Sequence, residues 1–353
     1  MTSQTPEYLQ SELPAIRLFE KLGYTYLDGS QHDERPSIND VILEDRLKDA
    51  IKRLNPWLNE NNVKNAFKEI TAVASASLME ANEFVHKLIS TQSYTPKQVI
   101  DGKETYKGVA FIDFENIDNN EFLVANQMKF KGQEKNSIPD LVVFVNGLPL
   151  AVIECKSPKA LDAESTAISD LRYYKGNSEK LFRYNQVCVG IYKVGGRYGA
   201  IGAREEHYQV YKDEDTSSLE ALLGKTPTDQ DILLFNLFDK ARFLDLIRNF
   251  VIFHVAEGTK IKILPRYQQI RATNKAILKL QTENQGGVVW HTQGSGKSIT
   301  MVYLATKLRR EESGFKNPTI IILTDRTDLD DQISRTFKRC GFPNAIQDNY
   351  VRY

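Results

Sequence analysis

Ile138-Pro139-Asp140 and, fourteen residues beyond that aspartate, Glu154-Cys155-Lys156 bracket the stretch that decides the fold. Between them lie two apolar runs, Leu141 to Val145 and Leu148 to Ile153, joined at Asn146-Gly147. Asn-Gly tolerates the positive φ angles of a tight hairpin turn, so the runs read as paired strands. Paired in this way, they bring two carboxylates and one amine to the same end of the hairpin. Carboxylate oxygens suit a hard divalent cation such as Mg²⁺. An ammonium beside them stabilises charge building on a phosphate. The expectation is metal-dependent phosphodiester chemistry, with Asp140, Glu154 and Lys156 as the catalytic residues.

This expectation makes a demand on register. With a strict two-residue turn and regular pairing, Asp140 faces Ile153. Asp140 and Glu154 then fall on opposite faces, because side chains alternate with period two. A working site needs a three-residue loop or a bulge, expected near Gly147-Leu148. The plainer alternative is that Asp140 caps a turn and Glu154 with Lys156 forms an exposed ion pair. Against it, Glu154 ends a strongly apolar strand, where a bare carboxylate is costly without a partner or cation.

The chain has 353 residues, enough for two or more domains with their own cores. Lys+Arg and Asp+Glu balance at 46 each, so any affinity for nucleic acid rests on local patches. Lys129, Lys131 and Lys135 form one such cluster beside Asp140. No run approaches the ~20 apolar residues of a membrane span. The N-terminus lacks the basic and apolar segments of a secretory signal. Three cysteines without metal-ligand spacing suit a reducing, cytoplasmic setting.

Apolar periodicity predicts helices over 7–22, 40–54, 62–89 (long or broken), 162–174 and 232–253, with another beginning near Arg266. Strand-like runs fall at 109–114, 122–130, 141–145, 148–154, 187–194 and 198–203, the last two joined at Gly195-Gly196. Residues 213–231, acidic and polar, read as a linker.

Farther along, Val288-Val289-Trp290-His291-Thr292-Gln293-Gly294-Ser295-Gly296-Lys297-Ser298 reads as a phosphate-binding loop between a strand and a helix. A histidine stands where the usual pattern has its first glycine. Gly294 and Gly296 let backbone N–H groups, Ser295's included, approach phosphate oxygens, and the helix N-terminus favours the anion. Lys297 is expected on the β- and γ-phosphates of ATP and Ser298 on Mg²⁺. A second parallel strand is expected at Thr319–Thr324.

Several of these stretches, in order along nearly the whole chain, resemble the R subunit of type I restriction–modification enzymes. They are Val41 to Leu47, Ile138-Pro139-Asp140, Asn146 to Leu150, Ile153 to Pro158, Trp290 to Ser298 and Asp325 to Gln332. The resemblance implies an α/β fold: a PD-(D/E)xK restriction-endonuclease-like mixed sheet flanked by helices, then the start of a RecA-like motor lobe. It divides the chain into an endonuclease domain over 1–255, with its core at about 105–212, and an incomplete ATPase lobe over 256–353. Asp140 and Glu154 are then metal ligands, with the Cys155 carbonyl and Glu12 as further ligands. Related nucleases carry Gln-x-x-x-Tyr on the helix after the lysine; here Asp170 stands in the glutamine's place and Tyr174 fits. Asp170, Tyr174, Lys129, Lys131 and Arg326 are the candidate DNA contacts. Gln269, after Arg266-Tyr267-Gln268, matches the adenine-reading motif. The implied partners are double-stranded DNA and the methyltransferase and specificity subunits, and the implied activity is cleavage coupled to ATP-driven translocation. No Asp-Glu pair follows Ser298, so the expectation is a fragment that does not itself hydrolyse ATP. A DNA-binding domain without cleavage and a docking module are the rival readings.

Overall fold

The computed structural model describes residues 5–342 apart from 32, 74, 76, 213, 214, 257, 311–313, 317 and 325. Two compact units divide the chain, Met1–Arg248 and Asn249–Tyr353.

The first unit begins with a π-helical turn, Tyr8–Glu12, running into α1 (Leu13–Lys21). The Leu13 N–H bonds to the Tyr8 carbonyl, and Pro14, in the first turn of α1, has no N–H for the normal ladder. Next come β1 (Thr25–Asp28), α2 (Glu44–Leu54), α3 (Glu60–Thr71), α4 (Leu78–Thr91), β2 (Lys97–Ile100) and β3 (Lys103–Tyr106). The central stretch holds β4 (Phe122–Asn126), β5 (Leu141–Val145), β6 (Leu148–Cys155), α5 (Ala163–Asn177), α6 (Glu179–Phe182), β7 (Val187–Ile191) and β8 (Gly196–Gly199). The unit closes with α7 (Ser217–Leu223), α8 (Asp229–Phe238) and α9 (Lys240–Asn249).

A six-stranded mixed sheet runs β1-β4-β5-β6-β7-β8. β1–β4 and β6–β7 are parallel; β4–β5, β5–β6 and β7–β8 are antiparallel. Every residue of β4 to β7 is buried, as expected of Val-, Leu- and Ile-rich strands covered on both faces. The β6–β7 crossover carries α5 onto the sheet. A Cβ built on Gly190 meets the Ala167 Cβ at 2.9 Å, so helix and strand approach as closely as they do because residue 190 has no side chain. At the turn, Asn146 (φ 51°) and Gly147 (φ 80°) both take left-handed backbone. The Gly147 carbonyl accepts the Leu43 N–H at 3.0 Å, docking the turn against the start of α2.

Several element boundaries differ from expectation, each for a local reason. The helix expected from Asp40 starts at Glu44, because Leu43 is extended (ψ 90°) and its N–H is committed to Gly147. The stretch 62–89 is broken into α3 and α4. Val109–Phe114 is not a strand; the Asn55 side-chain amide bonds both the N–H and the carbonyl of Ala110, as a neighbouring strand otherwise would. The presumed linker contains α7 and a capping box at Thr228. The long helix over 232–253 is interrupted at Asp239 (ψ 129°), whose carboxylate caps the next helix at Arg242.

The second unit holds a hairpin, β9 (Ile252–Ala256) with β10 (Thr259–Ile263), and the helices α10 (Tyr267–Glu283), α11 (Lys297–Leu308) and α12 (Thr327–Arg339). The strands expected at 288–290 and 319–324 do not form. Trp290 is 90 % exposed and Leu323 91 %. An interior parallel strand is stable only between hydrogen-bonded neighbours, and among the described residues these two runs have none.

Candidate active site

The expected bulge exists, but not at Gly147-Leu148: it follows two regular pairs, three residues past the turn. Val145 pairs with Leu148 and Phe144 with Pro149, a strict two-residue hairpin; the register then shifts, so that Val143 pairs with Ala151 and Leu141 with Ile153. Leu150 is the inserted residue. One step outward, Asp140 stands opposite Glu154, and the two side chains share a face.

Both carboxylates are deeply buried, Asp140 at 7 % exposure and Glu154 at 3 %. Asp140 Oδ2 accepts the Cys155 N–H at 2.7 Å and Oδ1 accepts Gln127 Nε2 at 2.9 Å. The Lys156 ammonium lies 2.7 Å from Glu154 Oε1 and 2.7 Å from Asp170 Oδ2. Tyr174, four residues beyond Asp170 on α5, points its hydroxyl to within 3.5 Å of Glu154 Oε1. Cys155 contributes its backbone, its side chain being fully buried.

Glu12 is buried on the π-helical turn and bound by amides, Asn126 Nδ2 at 3.0 Å and Gln127 Nε2 at 3.3 Å. It reaches Asp140 through the shared Gln127 amide. On the same turn, the Ser11 hydroxyl donates to the Lys156 carbonyl at 2.7 Å and ties this segment to the end of β6. Lys129 and Lys131 are exposed on the loop leading to Asp140. Lys135 lays its ammonium 5.3 Å from the Tyr173 ring centre.

Burial drives the electrostatics. It raises Glu154 well above the ordinary carboxylate range, and the charge of Asp140 raises it further. Burial lifts Asp140 to about 6 against the opposing Cys155 N–H, and Glu12 to about 7 against the Asn126 amide. For Lys156 burial works against the charge, but Glu154 and Asp170 prevail and hold the ammonium protonated. Two carboxylates, Glu154 and Asp170, thus hold the one ammonium directly.

Glu154 Oε2 is buried without a hydrogen-bond partner. An orphaned carboxylate oxygen beside a second buried acid fits a divalent cation. Among the described residues no three His, Cys, Asp or Glu side chains gather as a complete metal cage.

A raised carboxylate pKa favours the protonated folded state, so the stability that Asp140, Glu154 and Glu12 contribute is present at low pH and is lost as pH rises through their folded values. For Asp140 and Glu12 the window runs from the ordinary carboxylate range to about 7. In EDTA the melting temperature is therefore expected to fall between about pH 4.5 and 7.5, and added Mg²⁺ to raise it more at pH 8 than at pH 5. A flat thermal-shift profile in EDTA would remove the excess-charge account.

In the second unit, Gly294 (φ 77°) and Gly296 (φ 82°) shape the loop before α11, which starts at Lys297. Buried Gln269 donates to the carbonyls of Ser295 at 3.3 Å and Gly296 at 3.1 Å, and accepts the Arg266 N–H. It braces the loop from α10. Lys297 folds back onto the carbonyls of His291 and Thr292, and Ser298 lies in the first turn of α11. The buried Ser295 hydroxyl has no hydrogen-bond partner. Arg326 occupies the N-cap position of α12, without a side-chain capping bond, and is exposed; Asp325 lies outside the described residues.

The sequence reading missed Asn126, Gln127 and Ser11. A signal existed: Asn126-Gln127 follows directly on the apolar Phe122–Ala125, where two amides at a buried strand end need partners.

These features meet in one class, an R-protein-type α/β chain with a buried acid–lysine cluster on its mixed sheet. A family model described as the type I restriction enzyme R protein N terminus matches residues 4–207, and the chain belongs to that family. A second model, SWI2/SNF2 ATPase, matches 268–352. The chain is similar to the putative type I restriction enzyme MjaIXP endonuclease subunit of Methanocaldococcus jannaschii, 34 % identical over 92 % of this chain and 33 % of that protein. It is 33 % identical to the type I restriction enzyme HindI endonuclease subunit of Haemophilus influenzae, over 91 % of this chain and 32 % of that protein. It is 25 % identical to the type I restriction enzyme SauMSSORF170P endonuclease subunit of Staphylococcus aureus, over 96 % and 34 %. The chain spans about a third of the length of these relatives. Among the described residues no helix is long and apolar enough to cross a membrane.

Proposed function

We propose that this chain carries the DNA-cutting site of a type I restriction enzyme, of the PD-(D/E)xK class, together with the ATP-binding loop of its motor. The single observation that carries the reading is the bulge at Leu150, which turns Asp140 and Glu154 to one face beside Lys156.

Asp140, Glu154 and the Cys155 carbonyl would hold Mg²⁺, with Glu12 steering Asp140 through Gln127. Bound there, the cation supplies Lewis-acid charge and lowers the pKa of a coordinated water. Lys156 presents its ammonium to the phosphate, where negative charge grows as water attacks phosphorus and the bond to the 3′ oxygen breaks, leaving a 3′ hydroxyl. Lys129, Lys131 and Tyr174 would meet the DNA backbone at the cutting site, and Arg326 would meet DNA within the second unit. Gln269, Gly294, Ser295, Gly296, Lys297 and Ser298 would cradle ATP. In the whole protein, methyltransferase and specificity subunits would choose the site, and ATP-driven translocation of unmodified double-stranded DNA would precede cutting.

The test is cutting of an unmethylated plasmid by the full-length subunit reconstituted with its partners, ATP and Mg²⁺. Lys156→Ala is expected to lower cutting on the order of 100-fold while ATP turnover in the same tubes is kept. Unchanged cutting would remove this cluster as the active site.

A further inference from the structure

Lys156 is held by two acids from two different elements. Glu154 lies on its own strand, two residues back and on the same face; Asp170 comes from α5. The two are not equivalent. Glu154 is buried and has a second oxygen, Oε2, with no partner, so it is the acid with capacity left for a cation. A cation drawing on that carboxylate weakens its hold on the neighbouring ammonium. Asp170 has the opposite character: its side chain is 40 % exposed, and the oxygen it turns inward meets Lys156. An exposed carboxylate gains little stability from an ion pair, so the contact matters chiefly for where it keeps the ammonium.

The helix carrying Asp170 is itself fixed. Ala167 sits against Gly190, the residue that pairs across the strands with Glu154. Tyr174, one turn along the same face, reaches Glu154 Oε1. The helix therefore delivers an acid to the lysine and a hydroxyl to the glutamate from a single rigid face.

From this geometry we propose that Asp170 is a positioning residue: it tethers the Lys156 ammonium in the cutting site when the charge of Glu154 is shared with the cation. The inference rests on the nuclease reading, and its test separates the two. In the reconstituted complex, Asp170→Ala is expected to lower the maximal cutting rate about 100-fold, the scale of an ångström-level misplacement. Asp170→Asn keeps an acceptor without the charge, and is expected to recover about tenfold of that loss, a charge-assisted bond being the stronger kind. The Mg²⁺ concentration for half-maximal cutting and ATP turnover should stay within about twofold, as expected of a group acting through the lysine.

A second readout needs neither cation nor activity. Acylation of Lys156 by an N-hydroxysuccinimide ester, followed by peptide mass spectrometry of the 353-residue chain in EDTA, should quicken several-fold in Asp170→Ala and less in Asp170→Asn. Unchanged acylation would overturn the tether; so, once Lys156→Ala is seen to lose cutting, would wild-type cutting in Asp170→Ala, or equal loss in the Ala and Asn variants with a lowered melting temperature. Wild-type cutting by Lys156→Ala, with acylation still quickened by Asp170→Ala, would instead overturn the nuclease reading and leave the tether standing.

Discussion

Glu154→Gln is expected to stop DNA cutting and, in the same molecule, to make the cation-free chain more stable. Glutamine keeps the shape of the side chain and removes its charge. Wild type must bury a carboxylate opposite Asp140, with Oε2 unpartnered and its pKa pushed well up by burial. Above neutrality that charge costs stability, and the neutral side chain does not carry it. The expected gain at pH 8 in EDTA is roughly 1–3 kcal/mol, read as a rise of several degrees in melting temperature. At pH 5, where wild type can protonate, the difference should nearly vanish. Cutting should fall on the order of 1,000-fold, because the cation loses a charged ligand and Lys156 one of its two acids. A variant less stable than wild type at every pH would mean that Lys156 fully satisfies the carboxylate, and that no cation is called for.

Gly190→Val is the second large effect, and it acts without touching any reacting group. A Cβ at this position already meets the Ala167 Cβ at 2.9 Å, and valine adds two methyls. Both backbones are held, one by the sheet and one by the helix ladder, so α5 must lift. Overpacking of this kind costs about 1–3 kcal/mol. Asp170 and Tyr174 travel with the helix, so cutting should fall about 100-fold even at temperatures where the chain is fully folded. Gly190→Ala should do less. Adding Ala167→Gly to Gly190→Ala restores the space and should restore cutting. If the pair behaves like Gly190→Ala alone, the close approach is not what sets the helix position.

What could be read in the chain beforehand follows the reach of each signal. The hairpin was legible because Asn146-Gly147 and the flanking apolar runs are local, and the need for a bulge followed from counting residues. Its location was not, since Leu148 to Ile153 is apolar throughout and no polar residue marks where the alternation slips. The Asp170–Lys156 pair joins a helix to a strand end and has no local trace. Val109–Phe114 was misread because its backbone partner is the side chain of Asn55, more than fifty residues away. The strands at 288–290 and 319–324 have the right composition, but a strand is a property of its neighbours as much as of its own residues.

The slip at Leu150 leaves the hairpin with a parity. The two arms between Asp140 and Glu154 hold five and six residues around a two-residue turn, and the bulge at Leu150 takes up the odd one, so that both acids turn the same way. Loss of Leu150 would leave arms of equal length, and a regular hairpin would then set the acids directly opposite each other. Losing the bulge while keeping every residue would instead send one carboxylate to the far side of the sheet. A hairpin transplanted into another scaffold must therefore carry with its acids the match between arm-length difference and bulge, rather than any one residue.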